Sequence, residues 1–149
     1  MTANQADLFF IAPYIVTALL LGAAYYFHGS MDVRKSISRK TFLKRFLLAV
    51  GIIFLGVAAM TGVYLLHLSP DMRRWVIGGL MLLMSVLGNT ILFASWAQRC
   101  GSYPRGRELS AVLILMYMVA DLFMPSGVKY AVAAIASLAA YFAWEDKEK

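Results

Sequence analysis

Four stretches of this chain, residues 8–27, 46–68, 75–97 and 109–144, run almost free of charge. A helix rises about 1.5 Å per residue, so roughly 20 apolar residues cover the ~30 Å hydrocarbon core of a bilayer. Soluble folds bury apolar residues as stripes or alternating positions, so unbroken blocks of this length make lipid the expected solvent. Composition agrees: the chain is 61% hydrophobic and 15% charged, with a mean hydropathy of +0.70. A soluble domain is nearer 45–50% apolar and about 25% charged. With 149 residues, the whole of 1–149 is expected to form a single membrane domain.

The last stretch is too long for one span. It contains Met124-Pro125-Ser126-Gly127, a turn signal, with Lys129 just beyond. Two short helices meeting at Pro125 are one reading, and a single helix broken in mid-membrane is the other. Basic residues mark the cytoplasmic side of membrane proteins. The first loop holds Arg34, Lys35, Arg39, Lys40, Lys44 and Arg45; the third holds Arg99, Arg105 and Arg107. The second loop has Arg73 and Arg74 offset by Asp71. A five-helix chain then places Lys147 and Lys149 inside and no lysine in lipid, whereas a four-helix chain leaves Lys129 in the membrane. The predicted fold is therefore an all-α polytopic integral membrane bundle of five transmembrane helices, with four as the alternative. The helices fall at 8–28, 46–68, 75–97, 109–124 and 128–144, N-terminus out and C-terminus in. Pro13 falls in the first turns of its helix, where a missing N–H is tolerated. Tyr25, Tyr26, Phe46, Trp96, Tyr141 and Trp144 fall at the inner interface. Phe9, Phe10, Tyr64, Trp75, Phe123 and Tyr130 fall at the outer one, as aromatic belts do.

The net charge of +6 has the same topological explanation, so nucleic acid is not an expected partner. Cys100 is the sole cysteine and allows no intramolecular disulfide or C-x-x-C site. His28 and His67 end successive helices on opposite faces and cannot share one iron or zinc. Met81, Met84, Met116 and Met118 read as flexible core filling rather than a copper path. No metal or cofactor is expected. The sequence has no H-E-x-x-H, G-x-S-x-G or nucleotide-binding loop. Residues 1–7 carry an acid and no base, so the first apolar block is expected to be retained rather than cleaved. A bacterial cytoplasmic membrane is the expected location.

Several residues carry possible chemistry. Asp121 is the one carboxylate inside an apolar block, either an ion or proton site or a headgroup-depth residue paired with Lys129. Ser85, Asn89 and Thr90 place polar groups in the third helix, as interhelical hydrogen-bond donors or as substrate contacts beside Asp121. Gly56, Ala58 and Gly62 in the second helix, and Ala136 and Ala140 in the fifth, are small residues that permit close helix packing, within the chain or against a partner. Arg34, Lys35, Arg39, Lys40, Arg99, Arg105 and Arg107 can contact anionic headgroups or phosphates at the cytoplasmic face.

Three function classes follow. The first is a non-enzymatic subunit or modulator that associates with a larger membrane complex or with itself. The second is a small oligomeric transporter or channel using Asp121 and Asn89. The third is an enzyme or carrier for a lipid-linked or phosphorylated substrate, with Arg99, Arg105 and Arg107 holding phosphate and Glu108 or Asp121 as acid or base.

Overall fold

The computed structural model describes residues 3–101 and 105–142, with side chains from Ile11 onward except that of Ser126. The end of the last predicted helix at 143–144, the Lys147/Lys149 tail and the side chains of Phe9 and Phe10 lie outside the described residues. The described residues form five helices and no strand: α1 Ala3–Tyr26, α2 Arg39–Leu65, α3 Pro70–Cys100, α4 Gly106–Phe123 and α5 Ser126–Phe142. The 109–144 block is thus two helices. Pro125 lacks the N–H that a continuing helix needs, and α4 closes with the Met124 N–H bonded to the Ala120 carbonyl.

The local signals that start the helices lie outside the apolar blocks. Ser38 caps α2 through Oγ, which accepts from the Thr41 N–H at 3.3 Å, so α2 opens at Arg39 and not at Phe46. Ser69 caps α3 in the same way, accepting from the Met72 N–H at 3.4 Å, with Pro70 at the first helical position. α1 begins at Ala3, which corrects the reading of Pro13 as a first-turn residue: it sits in the helix interior and removes one backbone bond there. α1 ends where His28 turns into the left-handed region at φ 52° and the Gly29 N–H reaches the Ala24 carbonyl.

α3 touches all four other helices. Its C-terminal half is buried at Val86, Gly88, Asn89, every residue from Ile91 to Trp96, Gln98 and Cys100. Four rings meet there. Phe93 lies 6.5 Å from Tyr14 of α1, 5.6 Å from Tyr117 of α4 and 5.8 Å from Trp96. The Trp96 Nε1–H donates to Ser137 of α5 at 3.1 Å. Trp96 is therefore fully buried and not part of an interfacial belt. Its one polar edge finds a partner inside the protein, which removes the reason to seek water.

α2 packs chiefly along α3. Its buried residues are Phe42, Ala49, Gly56 and Val63, one every seven positions. A seven-residue repeat keeps a single narrow seam on a neighbouring helix. The rest of α2 is exposed, including Phe54, Leu55, Val57, Tyr64 and Leu65. α2 and α3 are long and apolar enough to cross a membrane by length and composition.

A Cβ at Gly56 would overlap the Met84 side chain of α3, whereas one at Gly62 meets nothing within 4 Å. Gly56→Leu is expected to lower the thermal stability of the purified protein by about 1–3 kcal/mol, the usual scale of overpacking. Gly62→Leu should leave the melting temperature of the monomer unchanged. Equal effects of the two substitutions would contradict this seam.

Candidate functional site

Two polar clusters interrupt the apolar packing. The first joins α1, α4 and α5. Tyr14 of α1 donates its hydroxyl proton to one carboxylate oxygen of Asp121 in α4. Lys129 of α5 donates to the other oxygen at 2.7 Å. The lysine ammonium also lies 5.4 Å from the Tyr130 ring centroid. Pro125 and the α4–α5 turn place Asp121 and Lys129 on facing first and last turns, eight residues apart. Asp121 is 20% exposed and Lys129 23%, so the pair is partly shielded from its surroundings. Thr17, a turn beyond Tyr14 on the same face of α1, is 1% exposed, and its hydroxyl finds no hydrogen-bond partner among the described residues.

Asn89 is buried, and the Thr90 hydroxyl returns to the Val86 carbonyl at 2.7 Å. Ser85 is half-buried. The bonds found at Asp121 go to Tyr14 and Lys129, not to these three residues. The sequence reading missed Tyr14. A hydroxyl inside an otherwise apolar block, one helical face from the α3 core, was the available signal.

The second cluster closes the opposite end of the bundle. Asp32, only 2% exposed, accepts from the Arg34 backbone N–H at 3.0 Å, from Arg34 Nε at 3.0 and 3.2 Å, and from Arg34 Nη2 at 2.8 Å. Those hydrogen bonds hold the Asp32 carboxyl below the usual carboxylate range. Arg34 also donates to the Tyr25 carbonyl at 2.7 Å and lies 3.9 Å from the Tyr25 ring centroid. Lys35 donates to the carbonyls of His28 and Gly29. Gln98, fully buried on α3, donates to the Ser30 and Asp32 carbonyls and accepts from Arg45. Arg99 reaches the Ile37 carbonyl. Residues 27–38 are thus tied to α3 by backbone carbonyls. Asp32 and Gln98 are the partners that a charge-counting view of the loop overlooks.

Of the predicted phosphate or lipid contacts, Arg34 and Lys35 are engaged in this internal network, and Arg39 lies 5.7 Å from the Tyr141 ring centroid. Lys40, Arg105 and Arg107 are exposed. Arg34 and Arg107 come together around one cavity with Tyr25, Val33, Ala97 and Ser110. Of the small residues, Gly56, Ala136 and Ala140 are buried within the chain, and Ala58 and Gly62 face outward. Among the described residues no three His, Cys, Asp or Glu side chains converge as a metal site. Comparison with known protein families, curated proteins and solved structures finds no match for this chain.

Asp121→Asn and Lys129→Met should each lower thermal stability by about 1–3 kcal/mol, because each leaves a shielded partner unpaired. The double variant should lose less than the sum. Strict additivity in calorimetry would show that the two groups are not coupled.

Because the Asp32 carboxyl is held low in the folded chain, its contribution is present above the unfolded value of about 3.9 and is lost as pH falls below it. The melting temperature should therefore begin to drop below about pH 5 and keep falling towards the lowered folded value, less steeply in Asp32→Asn. At neutral pH Asp32→Asn should also speed maleimide labelling of Cys100, which is 1% exposed beneath this loop. An unchanged labelling rate would argue that the loop is held by other bonds.

Proposed function

We propose that this chain is a small integral membrane protein acting as a non-enzymatic subunit or modulator, which associates laterally with a larger membrane complex or with further copies of itself. Its five helices would all lie in the bilayer, N-terminus out and C-terminus in, in a bacterial cytoplasmic membrane. The distribution of burial supports the lipid setting. Only 17% of the most apolar window of α2 and 33% of that of α3 is buried, whereas the core helix of a soluble protein of this length would be mostly covered. Phe54, Leu55, Leu65, Trp75 and Phe123 are more than 60% exposed, a surface that water would penalise heavily. α4 and α5, at 18 and 17 residues, would span about 27 and 25 Å, slightly short of a ~30 Å core.

One observation carries the association reading. Gly51, Ala58 and Gly62 recur along one exposed face of α2, and a Cβ at either glycine meets nothing within 4 Å. The face lies apart from the Gly56 seam by more than a quarter turn. In lipid, helices associate by close packing of such small faces, because burial from lipid adds little hydrophobic drive. The transporter reading has less support, since Asp121 is engaged by both Tyr14 and Lys129.

Gly62→Leu should reduce self-association or partner co-purification in mild detergent by roughly tenfold or more, a loss of about 1.4 kcal/mol, while insertion and melting temperature stay those of the wild type. Intact co-purification would exclude this face. Tags at 31–37 that label from outside intact cells would exclude the proposed orientation.

A further inference from the structure

The basic end of the bundle contains a cavity that the Asp32 network shapes but does not fill. It has a volume of about 310 Å³ and is lined by Tyr25, Val33, Arg34, Ala97, Arg107 and Ser110. Small-molecule sites begin at about 300 Å³, and a water occupies about 30 Å³ of liquid, so the space suits a small polar headgroup. Two arginines line it from separate segments, Arg34 from the 27–38 loop and Arg107 from the first turn of α4.

Their roles differ. Arg34 is held in place: Nε and Nη2 bind Asp32, the Tyr25 carbonyl and His28, and Nη1 is not used in those bonds. A donor held this way loses little freedom on meeting a ligand. Its charge is largely offset by Asp32, so the net positive charge of the cavity comes from Arg107. Among the described residues, Arg105 at the N-cap of α4 makes no side-chain capping bond. The remaining wall, Tyr25, Val33 and Ala97, is largely apolar. Arginine pairs favour the multiple oxygens of a phosphate, and the apolar wall favours an organic ester over a bare ion.

We propose that this cavity binds a phosphate ester of glycerol type, with Arg107 and Arg34 on the phosphate oxygens and Tyr25, Val33 and Ala97 against the organic part. The same chemistry is offered by the headgroup of an anionic phospholipid and by a soluble phosphoglycerol. The site stands on the α1–α3–α4 geometry, and only the lipid source depends on the membrane reading.

The test uses the full chain in phosphatidylcholine nanodiscs. One arm adds labelled glycerol 3-phosphate from solution and measures binding by equilibrium dialysis. The other dopes the discs with phosphatidic acid and counts lipid retained per chain by native mass spectrometry. Binding in the first arm assigns a soluble ligand, and retention in the second arm alone assigns a lipid. Either result supports the site when Arg107→Gln weakens it about tenfold or more, on the scale of a lost charged hydrogen bond, and Val33→Trp, which fills the cavity without changing charge, abolishes it. Arg74→Gln, at the far end of α3, should have no effect. Three results overturn the proposal: no binding of either probe to the wild type, an equal loss in Arg74→Gln, or loss in Arg107→Gln with Val33→Trp still binding. The last would assign the attraction to general surface charge.

Discussion

The aromatic packing on the C-terminal half of α3 is the constraint on which the rest of the bundle depends. Phe93 and Trp96 together meet Tyr14, Tyr117 and Ser137, so one helical turn of α3 contacts α1, α4 and α5 at once. Aromatic rings supply large contact areas and prefer tilted or edge-on arrangements, which fix the helices in rotation as well as in distance. If lipid surrounds the bundle, this directional packing matters more than in a soluble core. Moving an apolar side chain from lipid into protein gains little, and fit and hydrogen bonding then determine the arrangement.

The polar ties act at the two ends of that packed region. Tyr14, Asp121 and Lys129 link α1 to the α4–α5 turn, and Asp32, Arg34, Arg45 and Gln98 hold the first loop on α3. Both ties meet each charge with an opposite charge, a neutral side-chain polar group or a backbone carbonyl, as shielded polar groups require. The two ends differ in what they leave available. The Asp121 end spends its hydrogen-bonding capacity internally. The loop end uses Asp32 and the Tyr25 carbonyl as supports that hold Arg34 beside an open cavity.

Much of this architecture was legible in the sequence, because helix existence follows from long apolar blocks and their breaks from Pro70 and Pro125. Helix starts were less legible: Ser38 and Ser69 precede charged residues that belong to the helices but not to the apolar runs. The position of Trp96 could not be read from its place near a helix end, since only the tertiary partner Ser137 makes full burial possible. Asp121 was legible as a candidate from its isolation; Tyr14 offered only a hydroxyl in an apolar block, and its pairing with Asp121 across 107 positions has no local signature. The loop cations were legible as a topological signal. Their commitment to Asp32, Gln98 and backbone carbonyls was not, since charge counting treats every lysine and arginine as solvated.

The seven-residue seam of α2 has a mechanical consequence. Ala49 and Gly56 are small residues set between Phe42 and Val63 along one line, with the Met84 side chain seated at Gly56. The Met84 side chain seated at Gly56 opposes sliding of α2 along α3, whereas a narrow seam opposes a roll about its own line less. Arg45 sits near the base of α2 and holds Gln98, so a roll of α2 pulls directly on the bonds that anchor residues 30–32. Were a partner to grip the outer face of α2, any roll it imposed would be transmitted through Arg45 to the arginine-rich end of the bundle.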